Sequence, residues 1–309
     1  MTSFTGAAPG KVILFGEHAV VYGQPALAVP VTQVQATATV TPGGDGFWID
    51  AADLGRRYRL EDAPAGDPLA RAAERVCARA GLARLPAARL RVTSSIPIAA
   101  GLGSGAALCT AAVRALAPWL GLALEPAEIS AIVFETEKLL HGTPSGIDNT
   151  VVVFGQPVYF VTGQPPLPLQ VLRPFQLLIA DTGQTSSTRL TVGDVRAAYE
   201  REPERFAHLF QAIGEIARQA RAIIETGRPD DLGPLMRRNH ALLQELGVSS
   251  SALDRLVVAA EQAGARGAKL SGGGRGGNML ALVTPSTRAD VEAAVGQAGA
   301  VRVMQTVIE

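Results

Sequence analysis

The sequence predicts an α+β protein of two domains. Its 309 residues are about twice the length of a typical domain. The first third alternates polar and apolar residues with the period of strands, whereas the second half combines helical apolar spacing with short apolar runs. Hydrophobic residues make up 47% of the chain and charged residues 18%. The chain can therefore bury a large core and is not intrinsically disordered.

In the first half, strands come before helices. Thr32 to Val40 alternates apolar and polar residues, which is the pattern of a half-buried strand. The same reasoning predicts strands at Lys11 to Phe15, Phe47 to Asp50 and Ala88 to Thr93, and helices at Asp67 to Ala80, 104 to 119 and 126 to 140.

A proline cluster at 165 to 168 interrupts the pattern, and we place the boundary between domains 1–170 and 171–309 there. In the second domain, apolar residues from Phe206 to Ile224 recur with a period of 3.6, which indicates a helix with one buried face. Strands are predicted at Phe175 to Ala180, Ala268 to Ser271, Met279 to Val283 and Arg302 to Val307, with a helix near 286 to 298.

Charge and cysteine content exclude several classes of protein. Twenty-eight Lys and Arg balance 28 Asp and Glu, so no overall field attracts nucleic acid or an anionic membrane. The two cysteines, Cys77 and Cys109, form no zinc-binding spacing, so neither a disulfide framework nor a structural metal is expected. No apolar stretch reaches about 18 residues and no leader pattern opens the chain. We expect a cytoplasmic protein that binds neither nucleic acid nor membrane.

The segment from Pro97 to Ala107 is glycine-rich, follows a strand and opens an apolar helix. Gly101 to Ala106 formally matches the GxGxxG/A dinucleotide pattern, but it lies beyond the end of a strand that is not part of a βαβ unit. It contains no Walker sequence, and a plain turn would not need three glycines. We therefore predict a phosphate-binding turn of another type at a helix N-terminus.

Three other segments carry candidate residues. Lys11 heads an apolar run, and a surface lysine and a functional one are equally compatible with that position. Asp148, on a turn beside an apolar run taken as a buried strand, suits a general base, a metal ligand or a helix cap, and Glu137 with Ser104 could complete a Mg²⁺ site. The five glycines between Ser271 and Gly277 favour a backbone-lined wall over a hairpin turn. No catalytic role is assigned to His208, His240, Trp48 or Trp119; the histidines are expected at the surface or in satisfied contacts and the tryptophans in the core.

With these segments in this order, the chain resembles the GHMP kinases. Pro97 to Ala107 is similar to their phosphate-binding motif and Lys269 to Gly277 to their third, glycine-rich motif. Within the superfamily, Gly10 to Gly23, His141 to Asn149 and Asn239 to Ser249 resemble the mevalonate kinases. The resemblance implies two α+β domains with the active site in the cleft between them. It also implies phosphorylation of the terminal hydroxyl of mevalonate by ATP with Mg²⁺, in isoprenoid biosynthesis.

The resemblance also implies roles for individual residues. Lys11 would contact the reacting hydroxyl and lower its pKa, Asp148 would be the base or orient that hydroxyl, and Ser104 and Glu137 would bind Mg²⁺. The ATP phosphates would lie against Pro97, Ala100, Gly101, Leu102, Gly103, Ser104, Gly105 and Ala106. Mevalonate would lie against Glu17, His18, Thr188 and Gly273. His18 and Thr188 would supply a cationic or donor group to its carboxylate. A homodimer is left open.

Three residues depart from the family pattern: Gly105 replaces a frequent serine, Asn278 a frequent cysteine, and Arg275 a small residue. The Arg275 guanidinium is expected either to clamp a phosphate or to point to solvent. The alternatives to a mevalonate kinase are an enzyme acting on a mevalonate phosphate and a non-catalytic metabolite sensor. His18 argues against the phosphomevalonate enzymes, whose turn tends to carry tyrosine, and the retained Lys11 and Asp148 argue against a sensor.

Overall fold

The computed structural model describes residues 3–97, 101–142 and 144–309. The strands are β1 Phe4–Phe15, β2 Ala26–Pro42, β3 Phe47–Ala51, β4 Arg56–Arg59, β5 Ala88–Ser94, β6 Val158–Phe160, β7 Leu167–Pro168, β8 Phe175–Asp181, β9 Gly267–Ser271, β10 Asn278–Val283 and β11 Arg302–Ile308. The helices are α1 Pro68–Arg79, α2 Ser104–Trp119, α3 Pro126–His141, α4 Ile147–Phe154, α5 Thr188–Arg201, α6 Pro203–Glu225, α7 Leu232–Glu245, α8 Ser251–Gln262 and α9 Arg288–Gln297.

The described residues form two compact units. Unit 1 takes those within Met1–Lys11, Val34–Pro97 and Leu102–Gly155, and unit 2 takes those within Val12–Gln33, Ile98–Gly101 and Gln156–Glu309. The strands β1 and β2, which pair with each other, therefore contribute residues to both units. The predicted boundary near residue 170 stays a prediction.

In unit 1, the strand order is β4-β3-β5-β2, with β3 parallel to β5 and the other pairs antiparallel. Helix α2 consists largely of alanine and other small apolar residues, and most of it is buried. The Arg114 guanidinium on α2 donates to the carbonyls of Ala7 (2.6 Å) and Val153 (2.7 Å). This arginine thus joins β1 and α4 to the central helix of the unit.

Capping residues fix where the helices of unit 1 begin. The Asp67 carboxylate accepts the Ala70 N–H (2.9 Å) at the start of α1, which has Pro68 in its first turn. Glu125 and Glu128 form a capping box at the start of α3. Such caps contribute about 1 kcal/mol each. They explain why both helices begin within one residue of the predicted positions.

In unit 2, an antiparallel sheet of order β11-β8-β10-β9 packs with α7, α8 and α9, while the first residues of β2 pair with β6. The strands β9 and β10 are buried along their whole length. An aromatic cluster packs into this core, with the rings of Tyr22 and Phe210 stacked 4.0 Å apart. The buried face of α6 that supplies Phe210 is the one predicted from its period.

The α+β class and the main elements predicted from the sequence are confirmed, and two expectations are wrong. Thr150 to Phe154 is the end of helix α4 and not a strand. Gly146 caps this helix with φ 90°, and the Thr150 hydroxyl donates to its carbonyl (2.7 Å). Trp48 and Trp119, both expected in the core, are half-exposed. The guanidinium groups of Arg57 and Arg59 lie over the Trp48 ring at 4.8 and 5.1 Å, and the Trp119 ring stacks on Phe47. Within the described residues, no helix combines the length and apolar character needed to span a bilayer.

Candidate active site

Lys11 is buried in unit 1 and is paired with a carboxylate. Its side chain is 4% exposed, and its ammonium nitrogen Nζ lies 3.0 Å from Oδ1 of Asp148. Its backbone N–H donates to the Leu102 carbonyl (2.9 Å), which joins strand β1 to the glycine-rich turn. Of the two alternatives left open by the sequence, the solvated surface lysine is therefore excluded. A buried ammonium beside a carboxylate is the arrangement expected of a functional pair.

The Lys11 side chain passes directly over Gly103. A Cβ atom at position 103 would lie 2.8 Å from Cγ of Lys11, and Gly103 has φ 72°. Both the space and the left-handed backbone therefore require glycine. The turn that was predicted to bind phosphate is thus also the surface along which the lysine reaches Asp148.

Asp148 is placed by the first turn of helix α4. The neighbouring Asn149 anchors this turn, since its amide donates to the hydroxyl (2.8 Å) and carbonyl (3.3 Å) of Ser130 on α3. The Asp148 side chain is 27% exposed, so one side of its carboxylate is open while the other meets Lys11. A hydroxyl that approached the open side would lie within reach of both an acceptor and a cation.

Glu137, on α3, is the most deeply buried carboxyl of this group, at 2% exposure. Its pKa is raised to about 8, because burial and the nearby negative charge of Asp148 disfavour the ionised form more than the positive charge of Lys11 favours it. A divalent cation would reverse this preference by stabilising the ionised form. Together with the half-buried Ser104 at the start of α2, Glu137 offers the oxygen ligands that suit Mg²⁺. Within the described parts of the chain, no three His, Cys, Asp or Glu side chains group as a metal site.

The predicted phosphate-binding turn runs into the N-terminus of α2. Leu102 and Ala106 are almost fully buried, whereas Gly103, Ser104 and Gly105 between them are half-buried and therefore more accessible to a phosphate. Gly103 is the N-cap residue and provides no side-chain acceptor for the first N–H groups of the helix. These groups and the helix dipole suit an anion. Pro97 and residues 101–106 lie within the described chain, whereas Ala100 does not.

A second group of candidate residues lies in unit 2, around Glu17. The Glu17 carboxylate is fully buried, forms an ion pair with Lys269 and accepts a hydrogen bond from the Asn239 amide (3.3 Å). Lys269 also donates to the Leu270 carbonyl (2.5 Å). Burial lowers the pKa of Lys269, and the charge of Glu17 opposes that shift. Lys269 and Asn239 thus already bind the Glu17 carboxylate, which the resemblance placed next to the substrate. A direct contact between Glu17 and the substrate stays a prediction.

His18 follows Glu17 and has an unusual backbone, with φ 60°. Its ring nitrogen Nε2 lies 3.1 Å from the Gly273 carbonyl, and a carbonyl only accepts, so Nε2 carries the proton. The pKa of His18 is lowered to about 4, because burial and the positive charge of Arg275 disfavour the charged ring more than the hydrogen bond to Gly273 favours it. The ring is therefore neutral at pH 7, with Nδ1 as an acceptor. Of the cationic or donor group expected for a carboxylate, this leaves the donor alternative, which stays a prediction for Thr188.

The glycine-rich loop 272–277 is held by the segment before and within α5. Ser186 donates to the Gly274 carbonyl (2.5 Å), and a Cβ at Gly273 would lie 2.9 Å from the Thr188 hydroxyl. Thr188 itself is exposed at the start of α5. The predicted backbone-lined wall is consistent with this geometry, and Thr188 and Gly273 lie against each other in it.

The Arg275 guanidinium is partly exposed and is held by other residues of the protein, and whether it also reaches a phosphate stays a prediction. It forms an ion pair with Asp194 on α5, and its Nε donates to the Gly247 carbonyl (3.3 Å). Its backbone also departs from the common conformations, with φ 57°. This arginine therefore lies across the loop and contacts two other segments of unit 2.

The sequence reasoning missed Lys269 and Asn239 as partners of Glu17. A lysine inside the otherwise apolar strand β9 was the available signal, because a charged residue in a buried strand needs a partner. His240 is buried in satisfied contacts, as expected. Its Nδ1 accepts the Leu270 N–H (3.3 Å), and its Nε2 lies 3.1 Å from the Asp254 carboxylate. His208 is exposed.

The chain is similar to known proteins over most of its length. The models for the GHMP kinases N terminal domain and the GHMP kinases C terminal match residues 68–156 and 216–301. A mevalonate kinase of Pyrococcus horikoshii is 36% identical, with 96% of this chain and 92% of the relative covered, and one of Thermococcus sibiricus is 33% identical, with 95% and 92% covered. The crystal structure of L. major mevalonate kinase in complex with R-mevalonate has a TM-score of 0.84 and 27% identity, and covers 100% of this chain and 96% of that one.

Proposed function

The chain belongs to the GHMP kinase family, and on that premise we propose that it transfers the terminal phosphoryl group of ATP to the primary hydroxyl of mevalonate. The products are 5-phosphomevalonate and ADP. The observation that carries the proposal is the buried pair of Lys11 and Asp148, next to a glycine-rich turn at a helix N-terminus. Phosphoryl transfer needs a positioned hydroxyl and neutralised charge more than covalent catalysis, and this group of residues supplies both.

The Lys11 and Asp148 pair would prepare the hydroxyl for attack. The open side of the Asp148 carboxylate accepts the hydroxyl proton, and the Lys11 ammonium stabilises the negative charge that develops on the oxygen. The ion pair also holds both groups in place before the substrate arrives, because their charged atoms are 3.0 Å apart. The pair therefore acts as a unit, with the proton leaving toward the aspartate.

The turn at the start of α2 would hold the ATP phosphates through backbone N–H groups. Ser104 and Glu137 would hold the Mg²⁺ ion, which when bound neutralises phosphate charge. Because the unbound Glu137 carboxyl has a raised pKa, it must lose its proton before it can serve as an anionic ligand. Glu137 thus links metal binding to proton release.

On the mevalonate side, the neutral His18 ring offers only its Nδ1 acceptor, since Nε2–H is donated to Gly273. This Nδ1 atom suits a hydroxyl of the substrate, which can donate a hydrogen bond to it. Donors such as the Thr188 hydroxyl are left for the carboxylate. A mevalonate phosphate would bring about two more negative charges, and the residues assigned here contain no second basic group to receive them. Location in the cytoplasm and assembly as a homodimer stay predictions.

A coupled assay of ADP release on mevalonate, phosphomevalonate, homoserine and galactose tests the proposal. We expect mevalonate to have a kcat/KM at least about tenfold higher than the others, which corresponds to about 1.4 kcal/mol of transition-state binding. An equal or reversed preference between mevalonate and phosphomevalonate would refute mevalonate as the assigned substrate, but not the assignment as a kinase. Absence of ADP release with all four would favour the sensor.

A further inference from the structure

Arg275 is the one residue with a side chain among residues 272–277, since the other five are glycines. Glycine loses more conformational freedom on ordering than any other residue, so a loop of this composition has little stiffness of its own. Nevertheless, this loop presents a fixed carbonyl, that of Gly273, to the His18 ring at 3.1 Å. A restraint from outside the glycines is needed to keep that carbonyl in place.

The contacts of Arg275 supply such a restraint from two sides. Its backbone N–H donates to the Val248 carbonyl (2.8 Å) and its Nε donates to the Gly247 carbonyl (3.3 Å), both in the connection between α7 and α8. Its Nη1 forms an ion pair with Asp194 on α5. The side chain thus joins the loop both to helix α5 and to the α7–α8 connection, in addition to the contact that Ser186 makes with the Gly274 carbonyl.

The backbone conformation of Arg275 also supports a structural role for its side chain. With φ 57°, it occupies a left-handed conformation that glycine would adopt more easily. A strained arginine in the middle of five glycines is retained only where its side chain contributes something that glycine cannot. The guanidinium contacts are the contribution seen in the structure.

We propose that Arg275 and Asp194 form a latch that positions the Gly273 carbonyl, and through it the His18 ring, for binding of the alcohol substrate. Arg275 is a positioning residue in this proposal and contacts no substrate. The assignment of the alcohol as mevalonate rests on the proposed function above, whereas the latch itself does not. The expected consequence is a change in KM for the alcohol and not in KM for ATP.

The test compares Arg275→Ala and Asp194→Ala with Arg201→Ala. Arg201 is an exposed arginine of α5 that lines the same cavity as Asp194 and Arg275 and has no described contact with the loop, so it controls for loss of a nearby positive charge. Both latch variants should raise KM for mevalonate by about fivefold, the size expected for an exposed ion pair, with kcat and KM for ATP changed by less than about twofold. Arg275→Lys keeps the charge facing Asp194 but loses the Nε donor, and should lie between Arg275→Ala and the wild type.

Hydrogen exchange of the segment 272–277, measured without any substrate, separates the latch from the choice of substrate. Exchange should become faster in Arg275→Ala and Asp194→Ala and stay unchanged in Arg201→Ala. Faster exchange in a protein that does not phosphorylate mevalonate would keep the latch and overturn the proposed function. Unchanged exchange and unchanged KM in both latch variants would overturn the latch. A rise in KM for ATP alone would also overturn it, and would indicate a phosphate contact.

Discussion

Two carboxyl groups of unit 1, on Glu137 and Asp148, have different environments and correspondingly different proposed tasks. Asp148 is partly exposed and meets a lysine, whereas Glu137 is almost fully buried and has a raised pKa. Burial disfavours a charged carboxylate and an adjacent ammonium favours it. The difference in environment therefore fits the two proposed roles, with Asp148 accepting a proton during the reaction and Glu137 binding a cation.

The raised pKa of Glu137 predicts how stability depends on pH. The folded protein holds a proton on this group up to about pH 8, whereas the unfolded chain releases it near the ordinary value of 4.5. Unfolding thus releases a proton in this window, and stability is lost as the pH rises. In Mg²⁺-free buffer, the melting temperature should fall from pH 6.5 to 8 in the wild type, and less so in Glu137→Gln. Equal slopes in the two proteins would contradict the assignment.

Asp148→Asn tests the proton acceptor. The amide keeps the shape of the carboxylate but accepts no proton, so kcat should fall by about a hundredfold or more while KM for mevalonate changes only a few-fold. Steady-state kinetics with Asp62→Asn, which neutralises an exposed aspartate of the same unit, provides the control. A variant that kept kcat and lost only affinity would make Asp148 a binding residue.

At the residue scale, the sequence identified Lys11, Asp148 and Glu137 as candidates, and the structure brings these three together. The sequence alone could not show which ring nitrogen of His18 carries the proton, because that depends on the Gly273 carbonyl, 255 residues away. Nor could it show the partner of Arg275, since Asp194 carries no pattern that separates it from any other helix-surface aspartate. Contacts between distant segments are the part that local spacing cannot provide.

Among the elements, helix α2 and the turn before it carry both the proposed phosphate-binding site and the path of the Lys11 side chain. Gly103→Ala should disrupt both. A Cβ there meets the lysine side chain at 2.8 Å, and the left-handed backbone costs an alanine about 1 to 2 kcal/mol. We expect a lower melting temperature together with at least about a tenfold loss of kcat, because the lysine must move away from Asp148.

Gly121→Ala is the matched control at the other end of α2. Its φ of 74° is close to the 72° of Gly103, and a Cβ there has no neighbour within 4 Å. This variant should lose similar stability and keep its activity. If both variants lost activity equally, backbone strain alone would explain the result, and the contact with Lys11 would not matter.

At the same scale, the helices with clear capping residues and a regular 3.6-residue spacing of apolar residues could be predicted, whereas α4 could not. Its sequence is a run of β-branched residues, which local propensity assigns to a strand. The structure makes it a helix because Gly146 caps it and its valines are buried against neighbouring helices. Tertiary packing outweighs propensity here, and the helical geometry is what places Asp148 in a first turn.

For the molecule as a whole, the ion pair of Glu17 and Lys269 joins segments that are 252 residues apart. Removing one partner of a fully buried pair leaves an uncompensated charge and costs about 3 to 5 kcal/mol. Lys269→Met should therefore lower the free energy of unfolding, measured in urea, by this amount. Adding Glu17→Gln to the same chain should recover a part of it, because the remaining group is then neutral. A double variant as unstable as the single one would contradict this explanation.

The α+β class and the order of the main elements could be predicted, because they depend on local periodicity and on turn residues. The division of the chain into units could not. Residues 12–33 belong to the same unit as 156–309, although the sequence between them belongs largely to the other unit. A unit that is assembled from separated segments cannot be recognised from amino-acid composition or from linker residues.

This arrangement affects how the protein must be made. As the chain emerges from the ribosome, residues 12–33 appear well before residues 156–309, which complete their unit. Through most of translation, the apolar residues of Val12 to Phe15 and Ala26 to Val31 lack the partners that bury them in the finished molecule. These apolar residues are therefore exposed for much of translation, and a fragment that ends near residue 170 would leave them exposed.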